Sequence, residues 1–184
     1  MTTDGGVTWT AARTGVTSTT ATITGLTNGL VHSFRAYARN AVGLGASSNV
    51  VTAVPFTVPG APVSVIARGG DGSVVLSWSA PNSDGGSAVS SYLVERSTDG
   101  IAWTTVAGSV SGLGVTVTGL TNGQQYSFRV TARNSAGLGT ASPNATATPT
   151  GTAASPTALV ATAADGSVSL TWVAPTATGG SAVT

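Results

Sequence analysis

Few side chains in this chain could do chemistry. His32 is the only histidine and cysteine is absent. A zinc site built from those ligands and a thiolate nucleophile are therefore both excluded. His32 falls at an inward position of an alternating stretch, without the neighbours that acid or base catalysis needs, so it reads as a core or corner residue. Asp71, Asp84, Asp99 and Asp165 each precede a glycine. There the carboxylate accepts backbone hydrogen bonds and the glycine takes positive φ, which is turn chemistry; a weak loop calcium site is the other reading. Gly43-Leu-Gly45 and Gly137-Leu-Gly139 read as the loop before a last strand. They lack the helix N-terminus of a phosphate cradle, which excludes nucleotide binding.

Ligand contact has two candidate places. Trp9 and Trp103 follow Asp-Gly turns, near what should be a sheet edge, where an indole either packs or stacks on a sugar ring. The loop tip Asn82-Ser-Asp-Gly-Gly86, with Asn82 and Asp84, is the second, for a glycan or protein ligand. Arg129 and Glu95 are expected to face outward on neighbouring strands as a cross-strand ion pair. No catalytic residue, metal or cofactor is expected.

The elements that carry these residues repeat. Thr24-Gly-Leu-Thr-Asn-Gly29 returns as Thr118-Gly-Leu-Thr-Asn-Gly123, and Trp9, Phe34 and Ala38-Arg39-Asn40 return as Trp103, Phe128 and Ala132-Arg133-Asn134, all at an offset of 94 residues. Asp71-Gly-Ser-Val74, Trp78 and Gly85-Gly-Ser-Ala-Val89 return at Asp165-Gly-Ser-Val168, Trp172 and Gly179-Gly-Ser-Ala-Val183 in the same register. The repeat predicts a C-terminal half-repeat over 1–54, a complete domain over 58–149 and an N-terminal third over 156–184. Thr184 aligns with Ser90, and Met1 with Glu95 or Arg96, so the register describes an excerpt of a longer array.

A repeat of that length is within the usual range of a domain with its own core. Hydrophobic residues make up 41% of the chain and charged residues only 7%, with Thr, Ser, Gly, Ala and Val in excess, a composition of short strands and tight turns. The basic side chains are seven, all arginine, against six acidic ones. No basic stripe is available for nucleic acid, and net charge near zero gives little steering to anionic surfaces. No stretch reaches the roughly 18 apolar residues of a membrane span, and Met1-Thr-Thr-Asp-Gly-Gly6 has no features of a signal peptide.

In the middle repeat Val74, Leu76 and Trp78 alternate with polar or exposed positions, as do Tyr126, Phe128, Val130 and Ala132, the period of a strand with one buried face. Further strands are expected over 63–68, 92–97, 101–106, 114–118 and 144–148, separated by Gly-rich or Asn-Gly turns. Seven short strands with no helical period predict a two-sheet antiparallel sandwich. With an odd strand number the chain enters at one pole and leaves at the other. The connectors 54–62 and 148–156 contain proline and are semi-rigid, so an extended rod is expected.

Ala61-Pro62, Leu76-Ser-Trp78-Ser-Ala-Pro81, Tyr92-Leu-Val-Glu95, Gly119-Leu-Thr-Asn-Gly-Gln-Gln-Tyr126-Ser-Phe128-Arg-Val130 and Ala132-Arg-Asn-Ser-Ala-Gly137 together resemble the fibronectin type III family, in the form found in secreted and surface proteins of bacteria. The resemblance implies an all-β tandem array of immunoglobulin-like, seven-stranded sandwiches. In that fold Trp78, Trp172, Tyr92, Leu120, Tyr126 and Phe128 are structural, and Leu120 to Tyr126 is similar to a tyrosine corner. The first repeat has His32 where that corner has Tyr126, and is expected to be the weaker.

The resemblance also implies a non-catalytic spacer or binding module outside the cell, working with neighbouring domains and, in a second reading, with a polysaccharide or surface protein. Arg68-Gly-Gly-Asp71 has one glycine too many for an integrin motif, and Asn144-Ala-Thr146 matches a glycosylation acceptor by chance. The two partial end repeats raise a last expectation, head-to-tail self-association between chains.

Overall fold

The computed structural model describes residues 1–184, all of them in strands, turns and loops. The first segment carries β1 (His32–Phe34), β2 (Tyr37–Arg39), β3 (Leu44–Ser47) and β4 (Val51–Ala53). β1 pairs with β4 and β2 with β3, both antiparallel. The middle repeat carries β5 (Val63–Gly70), β6 (Ser73–Ser79), β7 (Ser91–Ser97), β8 (Thr104–Val110), β9 (Gly114–Thr118), β10 (Tyr126–Asn134), β11 (Gly137–Ala141) and β12 (Ala145–Ala147), and the last segment carries β13 (Thr157–Ala164) and β14 (Ser167–Val173).

The middle repeat is an antiparallel sandwich. One sheet has the order β5-β6-β9 and the other β11-β10-β7-β8, with β12 also on β10. β11 and β12 act as one strand interrupted at Pro143, which has no N–H to offer the ladder. Ser142 bridges the gap: its N–H donates to the Val130 carbonyl at 2.9 Å, and its hydroxyl accepts from the Val130 N–H at 3.0 Å. Seven functional strands result. Between the sheets lies a core of Val74, Leu76, Trp78, Tyr92, Val94, Val117, Leu120, Tyr126, Phe128, Val130 and Ala132. Trp78 meets Tyr92 edge-on, with ring centroids 5.4 Å apart, the arrangement that ring quadrupoles favour.

Three differences from the sequence reading have local causes. β8 starts at Thr104 rather than at 101, because the Ile101 and Ala102 amides donate to the Asp99 carboxylate, at 2.8 and 2.9 Å, and are withdrawn from the ladder. Gly137-Leu-Gly139 is not a loop but opens β11, paired with the end of β10. The Asn134 side-chain oxygen closes that turn by accepting from the Ala136 N–H at 2.8 Å. Trp172, expected in a core face, is 56% exposed, because no second sheet of this chain covers β14.

A repeated distortion marks the first strand of each of the last two repeats. Ser64 and Ala158 have φ of 54° and 53°, in the left-handed region that costs a side chain about 1 kcal/mol. Each sits where the pairing register shifts, between Val63 and Ile66 and between Thr157 and Val160, which makes it a β-bulge that bends an edge strand.

Candidate functional site

β10 and β7 run side by side from Ser127 opposite Ser97 to Arg133 opposite Ser91, and this register puts Arg129 directly opposite Glu95. Arg129 Nε donates to the Glu95 carboxylate at 2.8 Å, with both side chains partly exposed. The same guanidinium lies over the Trp103 ring, 4.3 Å from its centroid. Trp103 is half-buried, and the cation covers one of its faces. On that face a flat hydrophobic ligand would have to displace Arg129.

Trp9 has the same companion one repeat earlier. Arg35 lies 4.0 Å from the Trp9 ring centroid and 5.4 Å from that of Tyr37. Its Nε, however, is buried without a hydrogen-bond partner, since no carboxylate stands where Glu95 stands beside Arg129. The short bridge Thr2 to Ser33 mirrors Ser97 opposite Ser127. Met1 is thereby aligned with Arg96, and the loop between Asp4 and Trp9 is one residue longer than its counterpart.

The corner residues also differ in chemistry. The Tyr126 hydroxyl accepts from the Thr121 N–H at 3.1 Å, and that bond holds the phenol below its usual range. His32 is buried, and its Nε2 lies 3.3 Å from the Thr27 carbonyl. The imidazole therefore donates to a C=O where the phenol accepts from an N–H, and the other ring nitrogen has no partner. Leu120 and Phe128 are buried beside Tyr126.

Asp4, Asp84 and Asp99 bond to their own turns, whereas Asp71, expected to do the same, is held by a side chain of the distant Asn122-Gly123 turn. Asp99 accepts from Ile101, Ala102 and the Ser97 hydroxyl; the Ile101 amide is the largest of the influences that hold its carboxyl below the ordinary value, followed by Ser97. Asp4 is lowered in the same way, first by the hydroxyls of Thr2 and Thr8. Asp84 accepts from Gly86 at 2.8 Å and Asp71 from the Asn122 amide at 2.7 Å. No three His, Cys, Asp or Glu side chains come together as a metal-binding set.

Asn82 and Asp84 stay at the exposed tip of their loop, but Gly85 behind them is buried. The loop base is gripped by Asn134, whose amide nitrogen donates at 2.7 Å to the carbonyls of Asp84 and of Thr57 in the incoming connector. Asn134 is 4% exposed. Sequence reasoning did not single it out, although its recurrence as Asn40 and Asn134 was a visible signal.

The sheet order, the tyrosine corner and the absence of helix define a fibronectin type III sandwich. The family model of the fibronectin type III domain matches residues 59–148, and that segment is a fibronectin type III domain. It is 36% identical over 141 residues to Chitinase A1 of Niallia circulans, covering 72% of this chain and 19% of the chitinase. It is 36% identical over 189 residues to Exoglucanase B of Cellulomonas fimi, covering 93% of this chain and 17% of the relative. A crystal structure of titin domains aligns with a TM-score of 0.52 and 27% identity, covering 67% of this chain and 42% of that one. The chain spans less than a fifth of the two curated relatives, in which such domains are modules of much larger proteins.

Proposed function

We propose that this chain is a non-catalytic spacer segment of an exported bacterial protein, holding other domains apart in a rod-like array of repeats, with 1–54 and 156–184 as partial repeats on either side of the domain 58–149. The observation that carries this reading is the polar path of the chain. The incoming connector bonds the β6–β7 loop, Thr57 N–H to Gly85 and Gly60 N–H to Ser83, whereas the outgoing one bonds the far end, Thr150 N–H to Gly70. Between those ends runs β6, seven residues long and so roughly 20 Å. Each repeat therefore adds its length to the array. Similarity to a chitinase and an exoglucanase supports an extracellular setting beside a polysaccharide-degrading domain.

Small-angle scattering on the full chain beside residues 58–149 tests the spacer. The maximum dimension should grow along one axis while the cross-section stays constant; an unchanged dimension overturns the reading. The second reading, an accessory module for polysaccharide, is favoured by the partly exposed Trp103 together with those two relatives. Retardation of the full chain on polysaccharide gels, lost in a folded Trp103→Ala variant, would replace the spacer with it.

A further inference from the structure

The connectors between repeats are not free. Three backbone hydrogen bonds around the first recur around the second at the repeat offset. Gly29 N–H donates to Pro55 at 2.8 Å and Gly123 N–H to Pro149 at 2.9 Å. Thr57 N–H donates to Gly85 and Gly151 N–H to Gly179, both at 2.8 Å. Gly60 N–H donates to Ser83 at 2.9 Å and Ala154 N–H to Ala177 at 2.8 Å. Each connector is thus tied behind to the Asn-Gly turn of the repeat it leaves and ahead to the Gly-Gly loop of the repeat it joins.

The contact has no room for side chains. A Cβ on Gly86 would stand 2.3 Å from the Gly29 nitrogen, and one on Gly180 would stand 2.2 Å from that of Gly123. A Cβ on Gly85 would meet the Thr57 carbonyl oxygen at 2.3 Å, and one on Gly179 the Gly151 oxygen at 2.1 Å. Gly85 and Gly86 have φ of 75° and 88°, Gly179 and Gly180 of 69° and 84°, a conformation glycine adopts without steric cost. At the first joint Asn134 reaches across to the Thr57 carbonyl, which fixes connector and loop to the same sheet.

We infer that the Gly85-Gly86 loop with Asn134 is a docking surface for a neighbouring repeat, its partner being the Asn28-Gly29 turn and connector of that repeat. The same joint recurs between Asn122-Gly123 and Gly179-Gly180, so adjacent repeats hold one fixed relative orientation. Torsional freedom that a Gly- or Pro-containing connector would otherwise keep is removed by bonds at both of its ends. An array of repeats bearing these two motifs advances by one constant screw and transmits bending and torque as a rod. This deepens the spacer reading and rests on it for its use, though not for its geometry.

The lack of cysteine makes the test direct. Spin labels on the full chain at the exposed Val42 and Ile101 span the first joint, and labels at Ile101 and Leu159 span the second. Dipolar distance distributions should be narrow for both pairs. Gly86→Val should roughly double the width across the first joint and leave the second unchanged, and Gly180→Val should do the reverse, as released connectors sample a chain-like spread. Hydrogen exchange of β6 and β10 amides reports whether the middle repeat stays folded. If Gly86→Val loses that protection, Gly29→Val crowds the same contact from the other side, where a Cβ would stand 3.2 Å from the Gly86 Cα and the valine methyls closer still.

Broad distributions in the unsubstituted chain overturn the joint, as do folded Gly86→Val or Gly29→Val variants with unchanged widths. Broad distributions in a chain that still scatters as an elongated particle would leave the spacer standing without the joint. Narrow distributions in a chain that binds polysaccharide through Trp103 would leave the joint and remove the spacer.

Discussion

β6 and β14, Ser73-Val-Val-Leu-Ser-Trp-Ser79 and Ser167-Val-Ser-Leu-Thr-Trp-Val173, share the Val, Leu and Trp of one alternating face and have opposite environments. Trp78 is 5% exposed and Trp172 56%; Leu76 is 1% exposed and Leu170 53%. Both strands pair with the strand before them, so a hairpin and its alternation are local properties of the residues. Burial is not local. β6 faces the sheet of β7 and β10, while nothing in this chain faces β14. The same lesson holds at the other end. β10 runs unbroken for nine residues because β7 pairs along it, whereas the equivalent stretch of the first segment divides into β1 and β2, with a single bridge to Thr2 on that side.

The largest expected effect sharpens this contrast. Phe128→Ala should destabilise the middle repeat by about 3–5 kcal/mol, the usual range for emptying a core aromatic site. Phe34→Ala, at the matching and only partly buried position, should cost under about 1 kcal/mol. Urea unfolding read by region-resolved hydrogen exchange compares the two, and equal costs would mean that the first segment has a core of its own.

Next come the corners. Tyr126→Phe strands the Thr121 N–H and should cost about 1–2 kcal/mol. His32→Tyr, which supplies the first segment with a hydroxyl acceptor and removes an unpartnered ring nitrogen, should raise amide protection around Thr27 by about 1 kcal/mol. Protection that falls instead would show that the imidazole bond to the Thr27 carbonyl is the better fit.

Ser64→Gly relieves a left-handed residue and should stabilise the middle repeat by up to about 1 kcal/mol, less whatever the glycine adds to the entropy of the unfolded chain. A thermal midpoint that drops would mean that the Ser64 side chain has a packing role. Glu95→Gln should cost less still, below about 1 kcal/mol, since the pair with Arg129 is partly exposed and salt-screened. Added salt should narrow the gap between this variant and the parent.

The smallest effect is one of pH. Asp99 titrates below its ordinary value in the folded loop and near about 3.9 when unfolded. Its contribution to stability is therefore complete above pH ~4 and is lost as pH falls through the folded value. Asp99→Asn should flatten that part of the acid limb; an unchanged acid limb in a melt series would assign the loss to other groups.

Much of the fold is legible in the residues alone. Val74, Leu76 and Trp78, and Tyr126 through Ala132, declared their buried faces by alternation, and the repeated Trp, Phe and Asn-Gly positions declared the period. What escaped the pattern was β11, where two glycines and a leucine carry no strand signal and pairing with β10 decides. The joint escaped as well. Its glycines look like ordinary turn residues until the neighbouring repeat is seen against them, and Asn134 looks like one more polar strand end. The surroundings of Trp103 were not legible: its place after an Asp-Gly turn left packing and exposure both open, and the guanidinium on its face comes from a strand of distant sequence.

The sequence by itself determined the repeat, the strand alternation and the turns, because these depend on residue identity within a few positions. Only the tertiary structure decided which of two strands with the same Val-Leu-Trp face is core and which is surface, what covers Trp103, and how one repeat meets the next. Those depend on what stands opposite each face, and residues with the same local pattern have no means of specifying that alone.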